Sequence, residues 1–345
     1  MSGRPTYVGG VNIDSSRNPS TVSEHYPWQK ALFDVGIFKD TIYPSLSLHC
    51  SLAVAAYGLG RVNNNVQTKD LIWPLAPVIN GWWSAVGRRV FVRGLPLAQA
   101  LGALSRPERL ILTGVTLWGG RLFYRVFTRA QKRGKDDERY EEMKTDPGFW
   151  NKALFSVFLP EAIFQTLITL PFTAPFHHQG AVVSGYHPFL QATAVGLFST
   201  GFALEILADS QLDAHKQTSV DQHSLYKEGV WSIVRHPNYL GDALIHFSFP
   251  LLLYASDMLA PIEILGSLAN YAFLRYLGGD KATESHQERR YSVSSLEKHA
   301  DLQRYREEKN SFWPDLKELK NEWLWTVVGA GVAGALIEQG IHQFL

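Results

Sequence analysis

Residues 229–254 read GVWSIVRHPNYLGDALIHFSFPLLLY, a knot of charged and aromatic side chains that runs without a break into apolar sequence. Pro237, following His236, suits the first turn of a helix, because proline lacks the amide hydrogen that would be left unpaired there. A helix begun at Pro237 puts Asn238, Asp242 and His246 on one stripe, four residues apart, with Tyr239 beside them. Arg235 and His236 then stand at the helix entrance, where free amides and the positive end of the macrodipole favour an anion. Phosphate is the natural guest. A helix cap with interfacial Arg and Tyr anchors is the competing reading.

Outward from this stretch, apolar segments recur at about 44–60, 70–87, 110–127, 150–172, 188–208, 240–256, 259–277 and 323–345. Each is near the roughly 17–25 residues that a spanning helix needs. FVRGLPLAQALGALS, residues 91–105, reads as a further half-helix or an interfacial segment. The expectation is an all-α, polytopic transmembrane helical bundle of about seven to nine spans. Charge follows the same division, in three blocks at 125–144, 210–235 and 280–320. Two apolar segments separate successive blocks, so all three emerge on one face. The connectors of the other face, PFTAPFHHQGAVVSGYHP and ASDMLAP, contain no Lys or Arg. By the positive-inside tendency the charged face is cytoplasmic. A soluble all-helical protein with buried core helices is the alternative.

Composition removes other classes. With 33 Lys+Arg against 32 Asp+Glu, the formal charge is +1. No excess of cations supports a dedicated nucleic-acid binder, whose affinity comes from clustered Lys and Arg. A single cysteine, Cys50, excludes an internal disulfide and a Cys-rich zinc site. The mean hydropathy of -0.10 hides the segregation of apolar from charged sequence. Residues 1–43 form a polar, turn-rich lead without the apolar core of a signal peptide. No Rossmann glycine pattern, Walker loop, zincin or nucleophile-elbow motif is found. His177, His178 and His187, in a Pro/Gly-rich connector with no nearby Cys, read as a solvated loop rather than a metal site.

An ionisable residue inside a membrane helix costs on the order of 3 kcal/mol, so those present call for a role. Glu205 and Asp209 lie four apart in GFALEILADSQLDAHK, with Gln211 and His215 following. They suit ribose hydroxyls or a carboxamide, or an ion pair with an Arg of another helix. Arg121 sits within apolar sequence, and Arg125 and Arg129 continue its row toward the charged block. An arginine fork fits a phosphate, and Trp118, Tyr124 and Tyr140 offer planar surfaces for a heterocycle. For Arg125 and Arg129, a snorkelling helix end competes.

WGGRL, GKDDERYEEMK, ALEILADSQ, GVWSIVRHPNYLGD and RYREEKNSFWP, in that order, resemble the DUF1295 branch of the steroid 5-alpha-reductase C-terminal family. A related RHPNYLGD stretch occurs in sterol C14-reductases, and isoprenylcysteine carboxyl methyltransferases carry a similar RHPxYxG element. The resemblance covers about 110–314. It divides the chain into the lead at 1–43, N-terminal membrane helices at 44–109, a cofactor-binding membrane domain at 110–314 and an extension with an apolar helix at 315–345. It implies NADPH on the cytoplasmic side, held by Arg121, Tyr140, Glu205, Asp209, Arg235, His236, Asn238, Tyr239 and Asp242. It also implies reduction of a carbon-carbon double bond in a sterol or other lipid enone, in the endoplasmic reticulum. A SAM-dependent methyltransferase and a non-catalytic lipid-binding protein are the alternatives. The connector from Gly278 to Ala300 is longer than is usual in the family, so the resemblance does not carry a cofactor-site role over to Glu284 or Tyr305. No proton donor is assigned; Tyr43, His49 and Tyr57 are candidates that packing explains as well.

Overall fold

The structure is a computed structural model and describes residues 35–177, 187–218 and 225–344. The expected polar lead lies outside the described residues up to position 34, and so does His178. Among the described residues the chain is helical and contains no strand. The longer helices are α1 (Tyr43–Asn63), α2 (Thr68–Trp82), α3 (Arg106–Arg133), α4 (Leu159–Ile168), α5 (Pro188–Thr218), α6 (Pro237–Ala255), α7 (Pro261–Ala272), α8 (Asp280–Ser294), α9 (Leu296–Glu308) and α10 (Glu322–Phe344). Local sequence sets several boundaries. Ser105 and Glu108 cap α3 reciprocally, Pro107 fills its first turn, and Gly134 ends it at φ 66°. α6 starts at Pro237, as its sequence predicts.

By length and composition, three helices among the described residues are fit to cross a membrane: Phe38–Asn63, Pro188–Gln217 and Glu322–Phe344. Phe149–Ile168 with Leu170–Phe176, bent by 56°, makes a fourth if the pair is one broken span. The other predicted segments are helical but more polar or more interrupted. The 110–127 segment carries Arg121 and Arg125, 70–87 contains Pro74 and Pro77 and turns π-helical at Trp83, and 259–277 turns π-helical at Phe273. α6 holds Asp242 and His246.

α5 lies at the centre, packed against both α6 and α10. Small residues allow this, as they do wherever lipid-immersed helices must gain packing without a hydrophobic drive between them. A Cβ on Gly241 of α6 would lie 2.6 Å from the Gly201 carbonyl oxygen of α5, and one on Gly331 of α10 would lie 2.7 Å from the Gly196 carbonyl oxygen. Only glycine permits either approach. Two apolar clusters flank α5. Ile111, Val115, Trp118, Phe172, Ile245 and Phe249 form one, and Leu204, Ala208, Val230, Val234, Leu240 and Phe312 form the other. Val332, Leu336, Ile337, Ile341 and Phe344 leave one face of α10 apolar and exposed, the character of a lipid-facing surface.

Candidate functional site

Arg121, Glu205 and Asp209 come together where α3 meets α5. Arg121 donates from Nη1 to Glu205 Oε2 at 2.9 Å and from Nη2 to the Glu205 carbonyl at 2.8 Å, and it also pairs with Asp209. One helical turn on, Arg125 pairs with Asp213, with its Nε 3.5 Å from Asp209. The i,i+4 rows of the two helices therefore run as a ladder of opposite charges. Glu205 is buried, and its side chain fills the space beside Gly241, next to Asp242 of α6. Asp242 in turn holds His246 Nδ1 at 2.7 Å and accepts from Asn270 Nδ2 at 3.3 Å. One polar chain thus crosses α3, α5, α6 and α7. Trp118, considered as a stacking surface, is fully buried with its ring edge-on to His246 at 4.7 Å.

The start of α6 builds a second knot. The backbone amides of Arg235 and His236 donate to the carbonyls of Asn310 and Ser311 at 3.0 Å, so the RHPNY segment is anchored by the KNSF residues of the distant closing motif. Arg235 grips Glu284 of α8 with Nε at 2.9 Å and Nη2 at 3.0 Å, while its Nη1 bonds the Lys309 carbonyl. His236 Nε2 lies 3.0 Å from the same carboxylate. The anion at the helix entrance is therefore Glu284, supplied by the chain itself. Burial alone would push the Glu284 carboxyl up, but hydrogen bonds from His236 and Arg235 override it and hold it down at about 2. Burial lowers His236, so near neutral pH it is an uncharged imidazole whose Nε2–H donates to Glu284. Tyr239 stacks on His236 with ring centroids 5.4 Å apart, and its hydroxyl meets Thr283 Oγ1 at 3.0 Å. Tyr305 is buried and bonds the Trp231 carbonyl.

Three atoms in and beside this knot are buried without a hydrogen-bond partner among the described residues: Asn238 Oδ1, an acceptor, and two donors, Arg306 Nε, which lies 3.4 Å from Glu284, and Arg275 Nε, on a guanidinium whose Nη1 bonds Ser311 Oγ at 3.0 Å and pairs with Asp280. Asn238 and Arg275 stand out, because Arg306 Nε still has the Glu284 carboxylate close by. Both knots lie at the same end of α5 and α6. Trp231 Nε1 donates to the Ala208 carbonyl and Val230 N to Gln211 Oε1, which fastens the segment before α6 onto the far half of α5.

Tyr140 lies elsewhere. It is buried with Ala53, Ala56 and Val66 of the α1–α2 region, and its hydroxyl donates to Asp70 Oδ1 at 2.7 Å. Its neighbour in the GKDDERY motif, Asp136, accepts from the amides of Val66 and Gln67 at 2.8 and 3.0 Å. This motif therefore ties the α1–α2 turn to the segment after α3. Lys69 sits nearby, bridging Glu161 at 2.5 Å and Asp70 at 3.3 Å. Of the early candidates for a proton donor, His49 is buried between Gln165 and Asn80, Tyr57 donates to the Trp150 carbonyl, and Tyr43 is exposed. His177 contacts Arg88 Nη1 at 3.1 Å, and the His187 amide donates to the Ala255 carbonyl.

The chain matches the family described as "Protein of unknown function (DUF1295)" over residues 56–306. The chain belongs to the DUF1295 family. The matched residues begin inside α1, earlier than the five motifs do, and end within α9, so α10 lies outside them. This DUF1295 chain is similar to an uncharacterized protein of Schizosaccharomyces pombe, at 27% identity over 256 residues and covering 68% of each chain. No solved structure matches it. Within the family frame the motifs find physical reasons. WGGRL meets ALEILADSQ through Arg121, RHPNY meets RYREEKNSFWP through backbone pairing, and GKDDERY pins the α1–α2 turn.

Sequence reasoning missed Glu284 as the partner of Arg235, and Asp213 as the partner of Arg125. Asp213 had a readable signal, since it continues the Glu205, Asp209 spacing by another four residues. Glu284 had none, because it lies 49 positions from Arg235 in a polar helix without apolar periodicity.

Proposed function

We propose that this DUF1295 protein is an NADPH-dependent reductase of a carbon-carbon double bond in a sterol or other lipid enone. In this reading it is a multi-pass protein of the endoplasmic reticulum, with more spans than length and composition alone mark out and its charged blocks toward the cytoplasm. The observation that carries the reading is the pair of orphaned atoms in the RHPNY knot. Asn238 Oδ1 is an acceptor for a ribose or carboxamide donor, and Arg275 Nε is a donor for a phosphate oxygen. The donor set fits the cofactor. Arg275 Nε would face a phosphate, Asn238 and Asp209 its sugars, and Tyr239 a ring, while Arg235, closed on Glu284, would hold the knot in place. NADPH supplies the hydride when bound. The chain's own part is to hold it at the cytoplasmic end of α5 and α6 while the apolar bundle excludes water from the reacting alkene.

One observation favours a second reading. The charge of Arg121 is balanced by Glu205 and Asp209, that of Arg235 by Glu284 and that of Arg275 by the buried Asp280. A ligand without phosphates, such as SAM in a methyltransferase, would leave these pairs intact. The test is thermal melting of the full chain in detergent with NADPH or SAM. A ligand at about 100 times its Kd stabilises the native state by about 2.7 kcal/mol. Stabilisation by NADPH, lost in Asn238→Ala, together with NADPH oxidation on adding a lipid enone, is the expected result. Stabilisation by SAM alone selects the methyltransferase, and no response to either leaves a non-catalytic lipid-binding role.

A further inference from the structure

At the end of the bundle away from both knots, α3, α5, α6 and α10 line an open cleft of about 590 Å3, whose rim includes Ile337 and Ile341 of the exposed α10 face. Along α3 it runs from Arg106 to Leu117, upstream of Arg121; along α6 it takes Ser248 to Leu252, downstream of Asp242 and His246. It is a separate space from the proposed nucleotide site, and α10, which forms one wall, lies outside the family match. At the helical rise its α3 wall is about 16 Å long. Leu110, Val195, Phe198, Leu252, Ile337 and Ile341 make the lining apolar, and the volume is in the range of roughly 300–1,000 Å3 usual for small-molecule sites.

The mouth is polar. A hollow of about 180 Å3, lined by Gln191, Arg106, Glu338 and His342 among others, shares the last three with the cleft. Arg106 donates to Glu338 from Nε at 3.0 Å and from Nη2 at 2.8 Å. This bidentate pair leaves the mouth without a free charge of either sign at that point. Gln191 is 1% exposed, and neither Oε1 nor Nε2 has a hydrogen-bond partner among the described residues. A buried carboxamide with both its acceptor and its donor unused is costly, and the cost is relieved by a group that donates and accepts at once.

We propose that this cleft binds a neutral lipid with a hydroxyl head, its apolar body between α3, α5 and α10 and its hydroxyl against the Gln191 carboxamide. A hydroxyl is both donor and acceptor, which matches the two orphaned atoms. A charged head placed at Gln191 would be buried beside the closed Arg106–Glu338 pair, which is expensive; the other cation of the lining, Arg109, is exposed and donates to the Leu104 carbonyl, and the fatty-acid probe below tests it. The proposal does not rest on the nucleotide reading, since it uses neither knot.

The test uses the full chain in detergent and three diazirine-bearing probes of equal chain length: a long-chain alcohol, the fatty acid and the headless alkane. The alcohol is expected to label the cleft lining, at Leu110, Val195 and Ile337, on the order of tenfold more than the acid or the alkane, the value of about two ordinary hydrogen bonds. Gln191→Leu should bring alcohol labelling down to the alkane level without lowering the melting temperature in lipid-free detergent, because it removes unsatisfied polar atoms. Val195→Trp, which fills the cleft and leaves Gln191 in place, should abolish cleft labelling by every probe, and it decides the question alone should Gln191→Leu fail to accumulate. Equal labelling by the three probes, alcohol labelling spread over all lipid-facing helices, or full alcohol labelling in Gln191→Leu or Val195→Trp overturns the proposal. Neither variant touches the nucleotide knots, so loss of NADPH stabilisation and loss of lipid labelling are separate results.

Discussion

Arg121→Met is the perturbation to which the bundle should be most sensitive. The guanidinium makes bonds of 2.9 and 2.8 Å to Glu205 and a further pair with Asp209, and Glu205 is only 3% exposed. Removing the cation strands Glu205 deep among α5, α6 and α7, while Asp209 keeps Arg125 Nε at 3.5 Å. Breaking a buried pair from one side costs about 3–5 kcal/mol, because the remaining charge has neither water nor a counter-ion. Glu205→Gln should cost less, about 1–3 kcal/mol, since Asp209 still holds Arg121 and an amide accepts the same bond. The double variant Arg121→Met, Glu205→Gln leaves only Asp209, whose side chain is 22% exposed and able to reach water. It should recover most of the loss, giving an interaction energy of about 2 kcal/mol. The assay is a double-mutant cycle by thermal unfolding in detergent, followed by circular dichroism. Arg304→Met is the control, as its side chain is 66% exposed and its pair with Asp301 is long at 3.6 Å; a change within about 0.5 kcal/mol is expected there. Single losses that simply add, or an Arg121→Met loss no larger than that of Arg304→Met, refute the burial argument.

The α6 knot should lose stability as pH falls, in two stages. His236 is held neutral below its ordinary 6.5, so from about that pH downward protons favour the unfolded chain. Glu284 is held at about 2 against an ordinary 4.5, so its contribution is complete above 4.5 and lost between 4.5 and 2, about 3 kcal/mol at most. Melting curves from pH 7 to pH 3 should show both stages, and Glu284→Gln should flatten the lower one; an unchanged slope below pH 4.5 opposes this assignment. Gly241→Val should destabilise by about 1–3 kcal/mol or more, because the new side chain meets the Gly201 carbonyl and Glu205, whereas Gly58→Ala, with open space around it, should be neutral or gain up to about 1 kcal/mol. Equal melting shifts for the two glycines would contradict the close crossing of α5 and α6.

What was legible in the sequence was what repeats locally. The Pro237 helix start and the row of Glu205 and Asp209 follow from proline's missing amide and from spacing of four residues; the partnership of that row with an Arg of another helix is one of two readings the sequence leaves open. The placement of Tyr140 was not legible. Its motif sits in a charged block whose composition says only that it is solvated, and the contact with Asp70 spans 70 residues. Glu284 escaped for the same reason. Length and composition mark three helices among the described residues as spans, or four with the bent pair, and the expected count of seven to nine goes beyond that; Arg121 and Asp242, which interrupt the apolar runs of α3 and α6, serve as the polar joint between helices.

That joint bears on function as well as on packing. A buried ion pair is weak support for stability, since apolar residues of similar volume often do as well or better. The glycine crossing at 201 and 241 already fixes how α5 and α6 approach, so register alone does not require the Arg121, Glu205, Asp209 cluster. The cluster also lies at the same end of the bundle as the orphaned Asn238 Oδ1 and Arg275 Nε, while the opposite end pairs Arg106 with Glu338 at its mouth and is mostly apolar within. If both proposals hold, a nucleotide at the charged end of α5 and a hydroxyl-headed lipid at the other would use different side chains, so saturating the protein with either ligand should leave the thermal stabilisation by the other unchanged.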